Sequence, residues 1–472
     1  MSVSSTESPI VHPSDADPVA IGGSEVLGGP IGRYARAAGW WLPIRVLIVI
    51  TALAYALGYL LDYSCRATGW ASPERYEHLC YSDIPPLFSL RGFADGYLPY
   101  LQTPPGGQPL EYPVLTGIFM QIAAVVTTII TNVSTSLDTA RTFFDVNVLL
   151  LFIPLVITVI ATAMTVRRRP WDALMVAAAP TMILAATINW DLLPLAFSGV
   201  ALVLWSRRYE FTAGLLLGLA IAAKFYPLIF IGGFLLLAIR TGKWREFSQL
   251  VLGTAIAWLV VNVPFIIGNF DGWSYFYTFS KSRGEDFGSP WFAMTQWGIP
   301  GIPADSLNTV ATGAFVILAA GLAVLVLKAR HRPRLAQVLF LLIAAFVITN
   351  KVYSPQYVLW LIPLAVLARP KWRDFLIWQV GELIYFGAIW WFLVGYGVDN
   401  TKGLTPQLYA TAVFIHIAAT MYFAIMVIRD IVHPEHDPIR TDGFADDCDD
   451  PAGGVFDKAP DVFVFGRASS SR

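Results

Sequence analysis

Apolar runs close to 20 residues long recur along nearly the whole of this chain, and they limit the fold before anything else does. A run of that length crosses the hydrocarbon core of a bilayer as a helix, because lipid offers no partner to a free backbone N–H or C=O. Stretches 43–61, 146–166, 249–267, 309–327 and 407–428 are runs of this kind. The 472 residues are 56% hydrophobic and 14% charged, with a mean hydropathy of +0.58. The expected fold is all-α: a polytopic integral membrane protein of about 12 or 13 transmembrane helices. Net charge is −1, and Lys and Arg fall in small clusters at the ends of apolar runs. That pattern excludes nucleic acid as a partner and makes the lipid bilayer the first one.

The basic clusters also set topology. Arg33 and Arg36 precede the first run, which keeps the N-terminus cytoplasmic. Residues 1–32 and the acidic tail 431–472 read as disordered cytoplasmic ends. They flank a transmembrane domain, 33–430, with extracytoplasmic loops 62–111 and 268–308. Arg167 to Arg169, Arg207 with Arg208, Arg240 with Lys243 and Arg245, Lys328 through Arg334, and Arg369 through Arg373 mark further cytoplasmic turns. One place breaks parity. If 114–130 and 146–166 both cross, Arg167 to Arg169 fall outside, so either one segment lies in the outer leaflet or the cluster defies the bias. Stretch 211–239 is too long for one span and is interrupted by Lys224, Phe225, Tyr226 and Pro227; it reads as a hairpin of two short helices with Lys224 near the outward apex. Cys65 and Cys80 share the first loop, where an oxidising compartment would leave them either paired or free.

Polar exceptions converge under this topology. Asp83, Asn189 with Asp191, Lys224 with Tyr226, and Asn350, Lys351, Tyr353 and Gln356 all map to the outer ends of helices. Charges at that depth pair with one another or line a water-filled path. The first loop adds Asp95 and Glu111. Each has a plainer reading: Asp83 as a helix cap, Asp95 as the polar face of an interfacial helix over 87–101, and Glu111, with Tyr112, as the acid at a helix start. Lys224 and Lys351 would otherwise snorkel to the interface, and Asn189 and Asp191 either turn the hairpin or bind. The aromatic residues of 268–308 read as an interfacial belt.

YSDIPPLF at 81–88, GYLPY at 96–100, EYPVL at 111–115, NWDLLPL at 189–195, GLLLGLAIAAKFYPLIF at 214–230 and NKVYSPQYVLWLIPL at 350–364 follow one another in order. Together they resemble the lipid-phosphomannose-dependent mannosyltransferases, including the bacterial polyprenyl-phosphomannose enzymes and the catalytic subunit of the first glycosylphosphatidylinositol mannosyltransferase. The resemblance implies a GT-C glycosyltransferase fold. It implies a polyprenyl-phosphate sugar donor, mannose, and an extracytoplasmic glycolipid or glycan acceptor. Relatives often carry a second acid two residues after the first, where this chain has Pro85, so the paired-carboxylate basis for a divalent metal is incomplete and no cofactor is assigned.

The chemistry expected is a single inverting displacement. Asp83 is the general base, and Lys224 and Lys351, with Arg91 in reserve, stabilise the departing phosphate. Glu111, Tyr112, Asn189, Asp191, Tyr226, Tyr353 and Gln356 are the expected substrate contacts. Ala-rich composition and short loops point to a bacterial plasma membrane, with the active site extracytoplasmic. A secondary transporter or lipid-linked sugar flippase is the competing class. Transporters place ionisable groups near midplane and show internal repeats, whereas here the charges gather at one rim.

Overall fold

The computed structural model describes residues 42–398, 401–443 and 448–465, and every regular element within them is helical. The expected disorder of 1–32 and the topology markers Arg33 and Arg36 lie outside the described residues.

From α1 (Pro43–Leu61) the chain enters the first polar loop, which carries three short helices, α2 (Tyr63–Thr68), α3 (Glu74–Glu77) and α4 (Ile84–Leu90). After it come α5 (Val114–Val133), α6 (Thr139–Thr165), the short pair α7 (Leu174–Ala177) and α8 (Pro180–Ala185), α9 (Leu192–Ser206), α10 (Glu210–Ala223), α11 (Leu228–Thr241) and α12 (Trp244–Gly268). The second long loop folds as α13 (Phe270–Ser282) and α14 (Pro290–Gln296). Helices α15 (Ala304–Lys328), α16 (Leu335–Thr349), α17 (Val358–Ala368), α18 (Trp372–Val394) and α19 (Pro406–Val432) complete the bundle.

Among the described residues seven helices, α1, α5, α6, α12, α15, α18 and α19, are long and apolar enough to cross a membrane. Their outward faces are bare hydrocarbon: Leu53 is 68% exposed and Leu149 72%. Water would penalise such a surface, whereas lipid does not. By contrast α16 and α17 are apolar all round and buried almost throughout, so they form the centre. Helices α10 and α12 meet through Gly214, Gly218 and Gly253, where a Cβ would stand 2.1, 2.4 and 2.3 Å from a facing carbonyl oxygen. Only glycine permits this backbone approach.

The parity problem resolves at α5. Its first turn is held near the first loop, where Thr116 Oγ1 donates to the Ala223 carbonyl at 2.7 Å. The start of α6 is held at the same end by Arg66, whose Nε donates to Asp145 at 2.8 Å. Five residues of connection reach about 20 Å at most, and a helix of 20 residues is about 30 Å long. So the end of α5 stays on the first-loop side, and α6 is the helix that leads to the basic turn at 167–169.

Three expectations change in the structure. The segment 87–101 is not one interfacial helix, because α4 ends at Leu90 and Gly92 and Gly96 turn the chain with φ of 75° and 77°. Residues 171–188 are broken by Pro180 into α7 and α8 rather than forming one span. The described part of 431–472 is ordered: Asp437, Ile439 and Phe456 are buried there. Arg334 donates to Asp437, Arg168 pairs with Asp442, and Arg240 and Arg332 pair with Asp461. The tail straps together the basic helix ends, which supply the counter-charge that its composition alone did not reveal.

Candidate active site

A cavity of about 680 Å³ opens at the loop end of the bundle. That volume lies in the range of small-molecule sites. Four segments build it. Ser82 Oγ donates to the Thr187 carbonyl at 2.7 Å, and the Asp83 amide donates to the Ile188 carbonyl at 2.8 Å. These bonds stitch the start of α4 to the turn before α9. Behind it, Cys80 is disulfide-bonded to Cys65. Lys224 caps α10 in extended conformation, and Pro227 starts α11, so the apolar stretch breaks into the expected hairpin. Residues after α16 and the C-terminal half of α18 close the opposite wall.

Asp83 lines this cavity and does not cap α4 with its side chain. Its carboxylate receives Tyr81 Oη on Oδ1 at 2.7 Å and Tyr112 Oη on Oδ2 at 3.3 Å, and no cation lies within ion-pair distance among the described residues. Burial pushes the Asp83 carboxyl above its usual pKa range, while the tyrosine hydroxyls and the nearby Lys224 ammonium hold it down in part. Lys224 pairs with the buried Asp191 at 2.7 Å and lies 5.2 Å from the Tyr112 ring centroid. Trp360 Nε1 donates to the other Asp191 oxygen at 3.0 Å.

Expected residues divide by position. Asp83, Arg91, Glu111, Tyr112, Asn189, Lys224 and Gln356 line the cavity together. Arg91 and Glu111 form a two-bonded pair at 2.6 and 2.8 Å, so each satisfies the other. Asn189 serves the turn, its Oδ1 accepting from the Asp191 amide at 3.0 Å, and it also faces the cavity. Asp191 pairs with Lys224 and does not itself line the space.

Lys351, Tyr226 and Tyr353 are not brought to the cavity wall. The Lys351 ammonium donates to the carbonyls of Lys281, at 3.1 Å, and Arg283. It tethers the α13–α14 connection through these carbonyls. Tyr226 stacks on Trp360 at 4.3 Å in the bundle interior. Tyr353 points its hydroxyl at Glu382 and Thr420. Both rings belong to the breaks between helices, and which way such a break directs a side chain is invisible to sequence spacing. Sequence reasoning passed over Arg75, Tyr81, Ser354, Tyr357 and Trp390, all on the wall. Tyr81 had a signal, standing two residues before Asp83 in the quoted motif; no pattern singles out Arg75. Arg283 and Asp286 also line the space and pair at 3.4 Å.

Among the described residues no three His, Cys, Asp or Glu side chains gather as a metal ligand set. The model of Glycosyltransferase family 87 matches residues 112–349. This stretch includes Tyr112, Asp191 and Lys224 and begins after Asp83. No curated relative matches the chain.

Proposed function

Because the chain belongs to glycosyltransferase family 87, we propose that it moves mannose from a polyprenyl-phosphate carrier to an extracytoplasmic glycolipid or glycan acceptor, inverting the anomeric centre. The observation that carries this reading is Asp83, a carboxylate held by two tyrosine hydroxyls and without an ion-pair partner among the described residues, facing a cavity at one end of a lipid-facing bundle. A lipid-phosphate sugar keeps its tail in the bilayer and its head at that rim.

In this mechanism the acceptor hydroxyl gives its proton to Asp83 as its oxygen attacks the anomeric carbon. The bond from that carbon to the phosphate oxygen breaks, and the electron pair leaves with the polyprenyl phosphate. Lys224, paired with Asp191, faces the growing negative charge and stabilises the transition state more than the ground state. Tyr81 and Tyr112 orient the carboxylate. The Cys65–Cys80 bond supports an oxidising, extracytoplasmic location for the loop.

Purified protein incubated with radiolabelled polyprenyl-phosphomannose and a membrane glycolipid extract tests the reading. Asp83→Asn should lower transfer by about 10²- to 10⁴-fold. In the wild type, kcat/KM should rise with pH along a limb displaced above the usual carboxylate range, because Asp83 must be ionised to act. That limb should vanish in Asp83→Asn. Sugar uptake into vesicles without covalent transfer would overturn the assignment in favour of a carrier.

A further inference from the structure

Four cations line the cavity: Arg75, Arg91, Lys224 and Arg283. Three of them are neutralised locally, Arg91 by Glu111, Lys224 by Asp191 and Arg283 by Asp286. Arg75 is not. Among the described residues no carboxylate pairs with it, and its buried Nε has no hydrogen-bond partner. What holds it is aromatic: its guanidinium lies 4.7 Å from the Tyr76 ring centroid and 5.7 Å from that of Tyr81. Those rings stack at 5.8 Å, and Tyr81 stacks on Trp390 at 4.7 Å. Ring faces recover only part of the hydration a half-buried guanidinium gives up, so the site keeps an unmet demand for an anion.

The position of Arg75 relative to Asp83 gives that demand a purpose. One carboxylate oxygen receives Tyr81, whose ring carries Arg75; the other receives Tyr112, whose ring carries Lys224. The two cations therefore flank the proposed base through two parallel tyrosine links. Lys224 already has a carboxylate, whereas Arg75 has none among the described residues, and the planar guanidinium on this wall carries forked N–H donors of the kind that grip phosphate through two oxygens.

We infer that Arg75 is a phosphate-binding residue of this site, seating the phosphate of a lipid substrate on the Tyr81 side of Asp83. This rests on the glycosyl-transfer reading only for the identity of the substrates: the anion is either the donor's phosphate or a phosphate carried by the acceptor.

Binding without turnover tests it. Full-length protein in detergent is titrated with polyprenyl phosphate against polyprenol, and with phosphatidylglycerol against diacylglycerol. The wild type should prefer the phosphate member of one pair, and Arg75→Gln should weaken that lipid by about 10- to 100-fold while leaving its neutral counterpart unchanged. Loss in the polyprenyl pair assigns the donor phosphate; loss in the glycerolipid pair assigns an acceptor phosphate. Arg75→Lys, which keeps the charge without the fork, should fall between. On wild-type protein, which removes any question of folding, polyprenyl phosphate or phosphatidylglycerol should shield Arg75 from phenylglyoxal where the neutral lipid does not. Equal affinity for charged and neutral lipids in both pairs, or no loss in Arg75→Gln with no shielding, overturns the inference. Sugar transfer that survives such a result leaves the proposed function standing; phosphate binding at Arg75 without any transfer would remove that function alone.

Discussion

Replacing Lys224 separates what its ammonium does for the fold from what it does for the reaction. Its partner Asp191 is 1% exposed and 2.7 Å away, while Lys224 itself is 16% exposed. Lys224→Met strands the Asp191 carboxylate with the Trp360 indole N–H as its remaining side-chain donor. Breaking a buried pair by removing one member costs about 3–5 kcal/mol. The partial exposure of Lys224 places the expected loss near the lower figure. Asp191→Asn in the Lys224→Met background removes the stranded charge and keeps the carbonyl that Trp360 needs, so about 2–3 kcal/mol should return as a coupling term. Catalysis should not return with it. A cation aimed at charge that develops in the transition state contributes about 2.7–4 kcal/mol, or roughly 10²- to 10³-fold in kcat. The assay is a double-mutant cycle read twice, by denaturant unfolding in detergent and by sugar transfer per folded molecule. Activity recovered in the double mutant would show that Lys224 only supports Asp191. Wild-type stability in Lys224→Met alone would show that the pair is not coupled to folding.

Lys351→Met should free the 281–287 segment, seen as faster hydrogen exchange there, and raise donor or acceptor KM by roughly tenfold with kcat retained. Asp62 is 7% exposed with the Thr187 hydroxyl as its donor, and its carboxyl is pushed up to about 7 by burial. Its folded pKa exceeds its unfolded one, so the folded state binds the extra proton and loses stability as pH rises, by about 4 kcal/mol across the window from the ordinary carboxylate value to about 7. Asp62→Asn should flatten thermal unfolding midpoints across that window; an unchanged slope would refute it. Asp437→Ala leaves the Arg334 guanidinium, 1% exposed, without its carboxylate. It should cost about 3–5 kcal/mol of stability while transfer per folded molecule holds.

How much of the site was legible depended on what a residue costs where it stands. Lys224 interrupts an apolar stretch, and an ammonium there needs a partner, so its hairpin and its place at the rim followed from hydropathy and basic flanks. Asp83 was legible because its motif resembles a known family and because its loop leaves a membrane helix. Lys351 looked equivalent to Lys224 by the same logic, but a lysine at a helix end has several directions open, and here the carbonyls of Lys281 and Arg283 were nearest. Tyr226 and Tyr353 share rim positions with true wall residues, yet they stand in the breaks between helices with their rings directed into the bundle, onto Trp360 and toward Glu382. Arg75 escaped notice because a lone arginine in a polar loop is unremarkable until its missing carboxylate can be seen.

Hydropathy by itself determined that this chain is a helical membrane protein with a hairpin broken at Lys224, because the bilayer allows a long apolar run one conformation and charges the chain for every exception. Tertiary structure decided the rest: that the end of α5 stays on the first-loop side, that the acidic tail buckles the basic helix ends together, and that among the described residues each cation of the cavity except Arg75 has its own carboxylate. Those outcomes depend on distances between segments remote in sequence, and electrostatic energy falls off with that distance rather than with residue number.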